Sequence, residues 1–195
     1  GLCAPAHNGL YGIQGCGFAI FPSNIQPSTL IEGGSGYRSL DMEMPQELPE
    51  RIEAGTLPTP AIVGLSAGLQ HLSQFSMDDI RGHEQALFSM LVERLQAQKQ
   101  YHVYLPQFAG STLLFHRHGT PADHIGQLLH RQGICVRTGY HCAALGHQTL
   151  QTPPGGGVRV SFGLFNTPRD VEVLFQALRS IEDSYELPNN KDRGE

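Results

Sequence analysis

The sequence has no cluster of lysine and arginine. Its formal net charge is −5 over 195 residues, and phosphate binding needs grouped cations, so a nucleic-acid partner is not expected. No apolar run approaches the roughly 18 residues that suggest a membrane span. The N-terminus lacks the basic, then apolar, layout of a signal peptide, and no membrane partner is expected. Cysteine is sparse and unpatterned (Cys3, Cys16, Cys135, Cys142), which argues against a disulfide scaffold and fits a reducing compartment, with the cytoplasm as default. No C-x-x-C pair is present. Zinc wants three or four converging ligands, so Cys135, His141, Cys142 and His147 form a weak metal set and none is expected.

What is there is enough for one generous domain or two small ones: 39% of the residues are apolar, ordinary for a chain that buries a core. The chain opens on Gly1 and not Met, and GLCAPAHNGLYG reads as the middle of something, so a fragment is expected. GIQGCG, from Gly12 to Gly17, has the wrong spacing for a dinucleotide loop and is followed by the strand-like FAIF, so it reads as a glycine-rich turn between two strands. Residues 22 to 60 hold six of the 13 prolines together with GGSG at Gly33–Gly36, and are expected to be irregular.

Thr59 and Pro60 read as a capped helix start. Ile62, Leu65, Leu69 and Leu72 follow at helical spacing, and Gly64 and Gly68 suggest close packing against another backbone. A longer helix is predicted over 77–99, with Ile80, Leu87, Leu91 and Leu95 on one stripe. Strands follow from His102 and from Ser111. A helix capped by Thr120 then closes at Gly133, and ICVRT is read as a short strand with Cys135 in the core. After a long loop and the strand VRVSF, the last helix begins at Thr167–Pro168, with Val171, Leu174, Phe175, Leu178 and Ile181 inward. The polar tail, 186–195, is expected to fray. His71, His83 and His130 are read as surface residues. The order for 77–185 suits helices on one face of a mainly antiparallel sheet.

The richest stretch is Arg137–Asn166. It places one cysteine, two histidines and a glycine run between two strand-like segments that each carry an arginine. A loop of this length is usually functional or disordered, and with few apolar contacts it is expected to be poorly restrained over Tyr140–Gly156. Cys142 is a candidate nucleophile whose thiolate His141 or Arg137 would favour, the plain alternative being a packed core cysteine. Arg159 offers a planar fork for a carboxylate, the alternative being a surface ion pair.

Three strings in the same order, AHNGLYGIQGCG, IEAGTLPTPAIVGLSAGL and VRTGYHCAALGHQTLQTPPGGGVRVSFGLFNT, resemble the cysteine desulfurases within the class V aminotransferase-like, pyridoxal-phosphate-dependent family. The likeness runs from about residue 1 to 183. It implies an α/β fold made of the tail end of the large cofactor domain (1–76) and an α+β small domain (77–185) of the aspartate-aminotransferase-like fold. It further implies a homodimer, L-cysteine as substrate, and a possible sulfur-acceptor protein as partner. In the family, the cofactor withdraws electrons from the substrate α carbon, a cysteine thiolate attacks the substrate sulfur, and alanine and a persulfide result.

By position, Cys142 falls on the persulfide-forming nucleophile, and Arg159 on the arginine that grips the substrate carboxylate, with Arg137 and His141 beside it. Gly55 and Thr56 fall on the loop that reaches the neighbouring subunit's cofactor phosphate, and His7 falls beside the Schiff-base lysine. That lysine is Asn8 here, and an amide nitrogen cannot form a Schiff base. An introduced substitution and a natural change in a degenerate copy both account for it. The resemblance therefore implies that pyridoxal phosphate belongs to the intact parent and that this chain alone binds none and is inactive. Two alternatives stand beside the desulfurase reading: a non-catalytic module for dimerisation or for binding a sulfur acceptor, and a class V transaminase or selenocysteine lyase-like enzyme.

Overall fold

A computed structural model of the chain describes residues 1–186 except Ser39, Phe108 and Ala109, with side chains of the last helix described to Ile181. The expected tail over 187–195 lies outside the described residues. The chain divides into two compact units, Gly1–Phe75 and the part from Ser76 onward.

In the first unit, β1 (Leu2–Pro5) and β2 (Gly17–Ile20) pair antiparallel, with Leu2 opposite Ile20 and Pro5 opposite Gly17. The described residues of 21–58 contain no helix or strand, as their proline density leads one to expect. Helix α1 (Thr59–Leu72) follows. A Cβ on Gly68 would collide with the carbonyl oxygen of Leu10, so this glycine lets helix and loop backbones meet. Gly64 has only ordinary contact with Ile13. The expected Thr59 cap is not formed. Pro58 is the N-cap, Thr59 is already helical, and its hydroxyl donates to the Leu57 carbonyl at 3.5 Å.

The second unit holds helix α2 (Met77–Gln96), strands β3 (Tyr101–Tyr104) and β4 (Thr112–Arg117), helix α3 (Ala122–Arg131), strand β5 (Arg137–Gly139), a short helix α4 (Ala144–Thr149), strand β6 (Gly157–Ser161) and helix α5 (Pro168–Glu186). The strands form one antiparallel sheet in the order β3-β4-β6-β5. Strand side chains alternate between faces. One face therefore carries Tyr101, Leu113, Phe115, Val158 and Val160, which are buried with Leu87, Leu91 and Leu95 of α2, Ile125 and Leu129 of α3, and Val171, Leu174 and Leu178 of α5. The helices cover that face. The other face presents His102, Tyr104, His116 and Arg159.

The ends of the helices follow local chemistry. Ser76 caps α2 by accepting from the Asp79 amide at 3.0 Å. At α3 the expected Thr120 cap is replaced by Pro121, and the buried Thr120 hydroxyl instead accepts from Arg117 at 2.6 Å. The helix closes as expected: Gly133 has φ +76° and donates to His130, while Ile134 donates to Leu129, the paired bonds of a left-handed cap. Strand β5 begins only at Arg137, so Cys135 precedes it and is exposed. Cys135 was expected in the core; the cap leads the chain over the unit's surface before pairing starts. His83, expected to be a plain surface residue, is half-buried, and its Nε2 lies 2.9 Å from the Asn166 carbonyl.

At α5 the Asp170 carboxylate accepts from the Thr167 amide at 2.8 Å and from its hydroxyl at 3.2 Å. The backbone bond holds the Asp170 carboxyl below the usual carboxylate range. A depressed folded value means the carboxylate stabilises the fold above its unfolded pKa, and that contribution is lost as pH falls through the folded one. Asp170→Asn is expected to lower Tm at neutral pH, with the gap to the parent closing in acid. A gap that is constant with pH, followed by thermal melts across the acid range, would contradict this.

Candidate functional site

Strand β6 places Arg159 on the face opposite the one that packs on α2, α3 and α5. In the sheet register Arg159 is directly opposite Arg137 of β5. Like charges set opposite one another across an antiparallel pair are destabilising. Neither arginine forms an ion pair among the described residues, and the buried Nε of Arg159 has no hydrogen-bond partner. Among the described residues, then, Arg159 shows no surface ion pair. Two facing guanidinium groups with no acid between them make an arrangement that an anion would relieve.

The strand β5 runs straight into a tight turn. The Ala143 amide donates to the Tyr140 carbonyl at 2.8 Å, and the two central residues, His141 and Cys142, have φ of +53° and +59°. Positive φ at both central positions is the sign pattern of a type I′ turn, which glycine, asparagine and aspartate favour. Histidine and cysteine there are strained by about 1 to 3 kcal/mol each. The turn carries Cys142 at an exposed tip with a free thiol, so the packed-cysteine alternative does not hold.

The segment behind the turn is more ordered than the sequence suggests. It was expected to be an irregular loop, but Ala144–Thr149 forms α4, and polar groups do the anchoring that apolar contacts were expected to lack. His147 is buried, 5% exposed. It reaches His141 through an Nε2 to Nδ1 contact of 3.2 Å and Thr152 through an Nδ1 to Oγ1 contact of 3.0 Å. The Tyr140 hydroxyl accepts from the Gly155 amide at 3.0 Å. A Cβ on Gly156 would strike the Gly139 carbonyl, and Gly156 has φ +76°, so the glycine run is required where the two ends of the segment close on each other. Burial lowers the pKa of His141; a backbone hydrogen bond to Arg137 opposes this, and the charges of Arg159, His147 and Arg137 lower it further. His141 is thereby kept neutral near neutral pH. His147 was weighed in the sequence only as a metal ligand and Thr152 not at all, because nothing in their spacing announces a hydrogen-bonded series.

The remaining predicted residues lie in the first unit. His7 and Asn8 are exposed in the connection after β1, and Gly55 and Thr56 are exposed ahead of α1, with Gly55 at φ +88°. Among the described residues, Lys99 is the sole lysine, and it lies outside that unit. None of the four presents a buried polar atom or an amine, so the residues present do not fit a covalently held pyridoxal phosphate. An apolar groove of about 1000 Å³ in this unit, lined by Cys3, Cys16, Phe18, Ile20, Leu48 and Ile52 among others, contains none of the predicted site residues. No three His, Cys, Asp or Glu side chains converge on a metal position among the described residues. No described helix is long and apolar enough to cross a membrane.

The family described as Aminotransferase class-V matches residues 2–174. A probable cysteine desulfurase of Streptomyces coelicolor is 33% identical over 140 residues, 70% of this chain and 33% of its own length. A cysteine desulfurase of Klebsiella pneumoniae is 30% identical over 177 residues, 88% of this chain and 43% of its own. The crystal structure of the cysteine desulfurase CsdA of Escherichia coli, in an S-sulfonic acid form, superposes with a TM-score of 0.81 at 25% identity, over 93% of this chain and 46% of that one. The chain thus spans less than half the length of these relatives. Class V aminotransferase and cysteine desulfurase relatives imply pyridoxal phosphate in the full-length family.

Proposed function

Because the chain belongs to the class V aminotransferases, we propose that it is the C-terminal portion of a cysteine desulfurase-like protein, contributing the sulfur-accepting thiol and the clamp for the substrate carboxylate. The observation that carries this is the pair Arg137–Arg159, facing each other without an acid at the base of the turn that exposes Cys142. The proposed substrate is L-cysteine, the amino acid named in the relatives' activity. Its carboxylate meets the guanidinium forks through charge-assisted bonds. Cys142 Sγ, as thiolate, is the nucleophile that accepts the sulfur as a persulfide. His7 and Asn8 are proposed to mark the position of the family lysine.

With asparagine at position 8 the chain does not hold the family's cofactor covalently, so by itself it is a non-catalytic module for dimerisation or for binding a sulfur acceptor. This second reading is favoured by the same residue. A homodimer is proposed, in which the loop at Gly55 and Thr56 reaches the neighbouring subunit; large apolar side chains such as Leu30, Leu40 and Met42 are 91%, 97% and 98% exposed in the single chain. The cytoplasm is the proposed compartment.

The clamp is tested on the chain itself. In an NMR titration with L-cysteine, the side-chain N–H signals of Arg159 and Arg137 are expected to shift together. Arg159→Ala is expected to weaken binding by about 1.5 to 3 kcal/mol, roughly ten- to a hundred-fold. Equal affinity in the variant would remove the clamp from the proposal.

A further inference from the structure

Four rings stand together on the sheet face opposite the helices. His102 and Tyr104 are two apart on β3, and His102 pairs directly with His116 of β4, so strand alternation sets all three on one side. The His118 amide donates to the Gln100 carbonyl at 2.8 Å, which carries the ladder one step past β4 and puts His118 on that side as well. The His116 ring centroid lies 5.2 Å from that of His102 and 5.0 Å from that of His118.

Three imidazoles are a ligand set that suits zinc, nickel and copper. With a zinc–nitrogen bond of about 2.0 to 2.1 Å, rings on neighbouring tetrahedral positions have centroids roughly 5 Å apart, and both spacings here match that. As they stand the rings do not converge on one point. His102 and His118 are exposed, so their rings can turn about their own torsions while the backbone, which already sets the spacing, stays in place.

Tyr104 settles which nitrogen of His116 is offered. Its hydroxyl lies 2.9 Å from His116 Nδ1, and because a hydroxyl both donates and accepts, it can take the Nδ1–H and leave the Nε2 lone pair bare. Metal-bound histidines are held through their second nitrogen in this way. Burial lowers the pKa of His116, and the charges of His102 and His118 lower it further, which favours the neutral ring that a ligand must be. An anion would instead need these rings protonated. His116 and His118 open onto a concavity of about 370 Å³ that Gly119, Pro153 and Pro154 also line, so an ion and its waters can reach them. Arg117 borders it too, but its guanidinium is turned to the Thr120 hydroxyl at 2.6 Å.

We propose that His102, His116 and His118 form a binding site for a divalent ion of the zinc class, with Tyr104 as the residue that orients His116. The ion ties β3 to β4, and water fills its remaining position. The site is independent of the reading of Cys142 and Arg159 above.

The test is a zinc chloride titration of the folded chain, followed by histidine nitrogen NMR ring by ring, so that zinc on a thiolate elsewhere is told apart. The ring nitrogens of His102, His116 and His118 are expected to move together along one binding curve, with EDTA reversing the change, while His130 on α3 stays still. His102→Ala and His118→Ala are each expected to weaken the site by more than about tenfold, Tyr104→Phe by about tenfold, and His130→Ala not at all. Thermal melts report whether each variant is folded, and the two histidines removed from the site are exposed. Rings that only stack would give no shared binding curve, and that result overturns the site, as does equal movement of His130. A His118→Ala variant that binds zinc as the parent does overturns the three-ligand set. Unchanged affinity in Tyr104→Phe overturns the orienting role.

Discussion

Cys142→Ser is expected to abolish sulfur delivery in a protein that joins this chain, with lysine at position 8, to the N-terminal half its relatives carry. The fall should be on the order of 10³-fold or more, since the nucleophile is a single atom and serine is a poor sulfur acceptor. Fold and Tm should change little, because the side chain lies exposed at a turn tip with no core contact. Radiolabelled L-cysteine and mass analysis of the protein measure the persulfide directly. Label reaching a protein acceptor through the serine variant would show that another of the cysteines, such as the exposed Cys3 or Cys135, carries the sulfur and that the turn does not.

The largest stability effect is expected at Phe115. This ring is fully buried at the centre of β4, with its residue opposite Val103 on β3 and Val158 on β6, and it meets Tyr101 edge-on at a centroid distance of 5.8 Å. Phe115→Ala is expected to cost about 3 to 5 kcal/mol, through lost burial and the cavity left behind. In a unit of this size that lowers Tm by at least about 10 °C. The same strand supports Arg159 through the adjacent Leu114 pairing, so weakened anion binding should accompany partial unfolding. Calorimetry on the variant checks the first effect; a Tm within a few degrees of the parent would mean that β4 is not the centre of this core.

The parts of the fold that could be read in advance are those with a repeating physical signal. The inward stripes of α2 and α5 obey helical spacing, and Leu87, Leu91, Leu95, Val171, Leu174 and Leu178 are all buried. The antiparallel sheet followed from the order of helices and strands over 77–185. Capping was half readable. The start of α5 at Thr167–Pro168 was legible, but Thr59 and Thr120 do not cap their helices: Pro58 and Pro121 take the cap positions, each with its own fixed φ. Cys135 was misplaced because ICVR has the composition of a buried strand, while the cap at Gly133 delays pairing until Arg137. The cysteine and the two arginines of the site were recognisable by type. The facing of Arg137 and Arg159 was not, since it depends on strand register. Nor was the burial of His147, which depends on α4 forming inside a segment that reads as loop.

The strained turn at His141 and Cys142 has a meaning for variation. A chain selected for stability alone would put asparagine and glycine at these two positions, where positive φ comes without steric cost, and would gain on the order of 1 to 3 kcal/mol for each residue relieved. Drift under relaxed selection should therefore find this turn early, since the mutations that erase its chemistry also make it fold better. Retention of histidine and cysteine at 141 and 142 marks this as a place where chemistry and foldability pull in opposite directions.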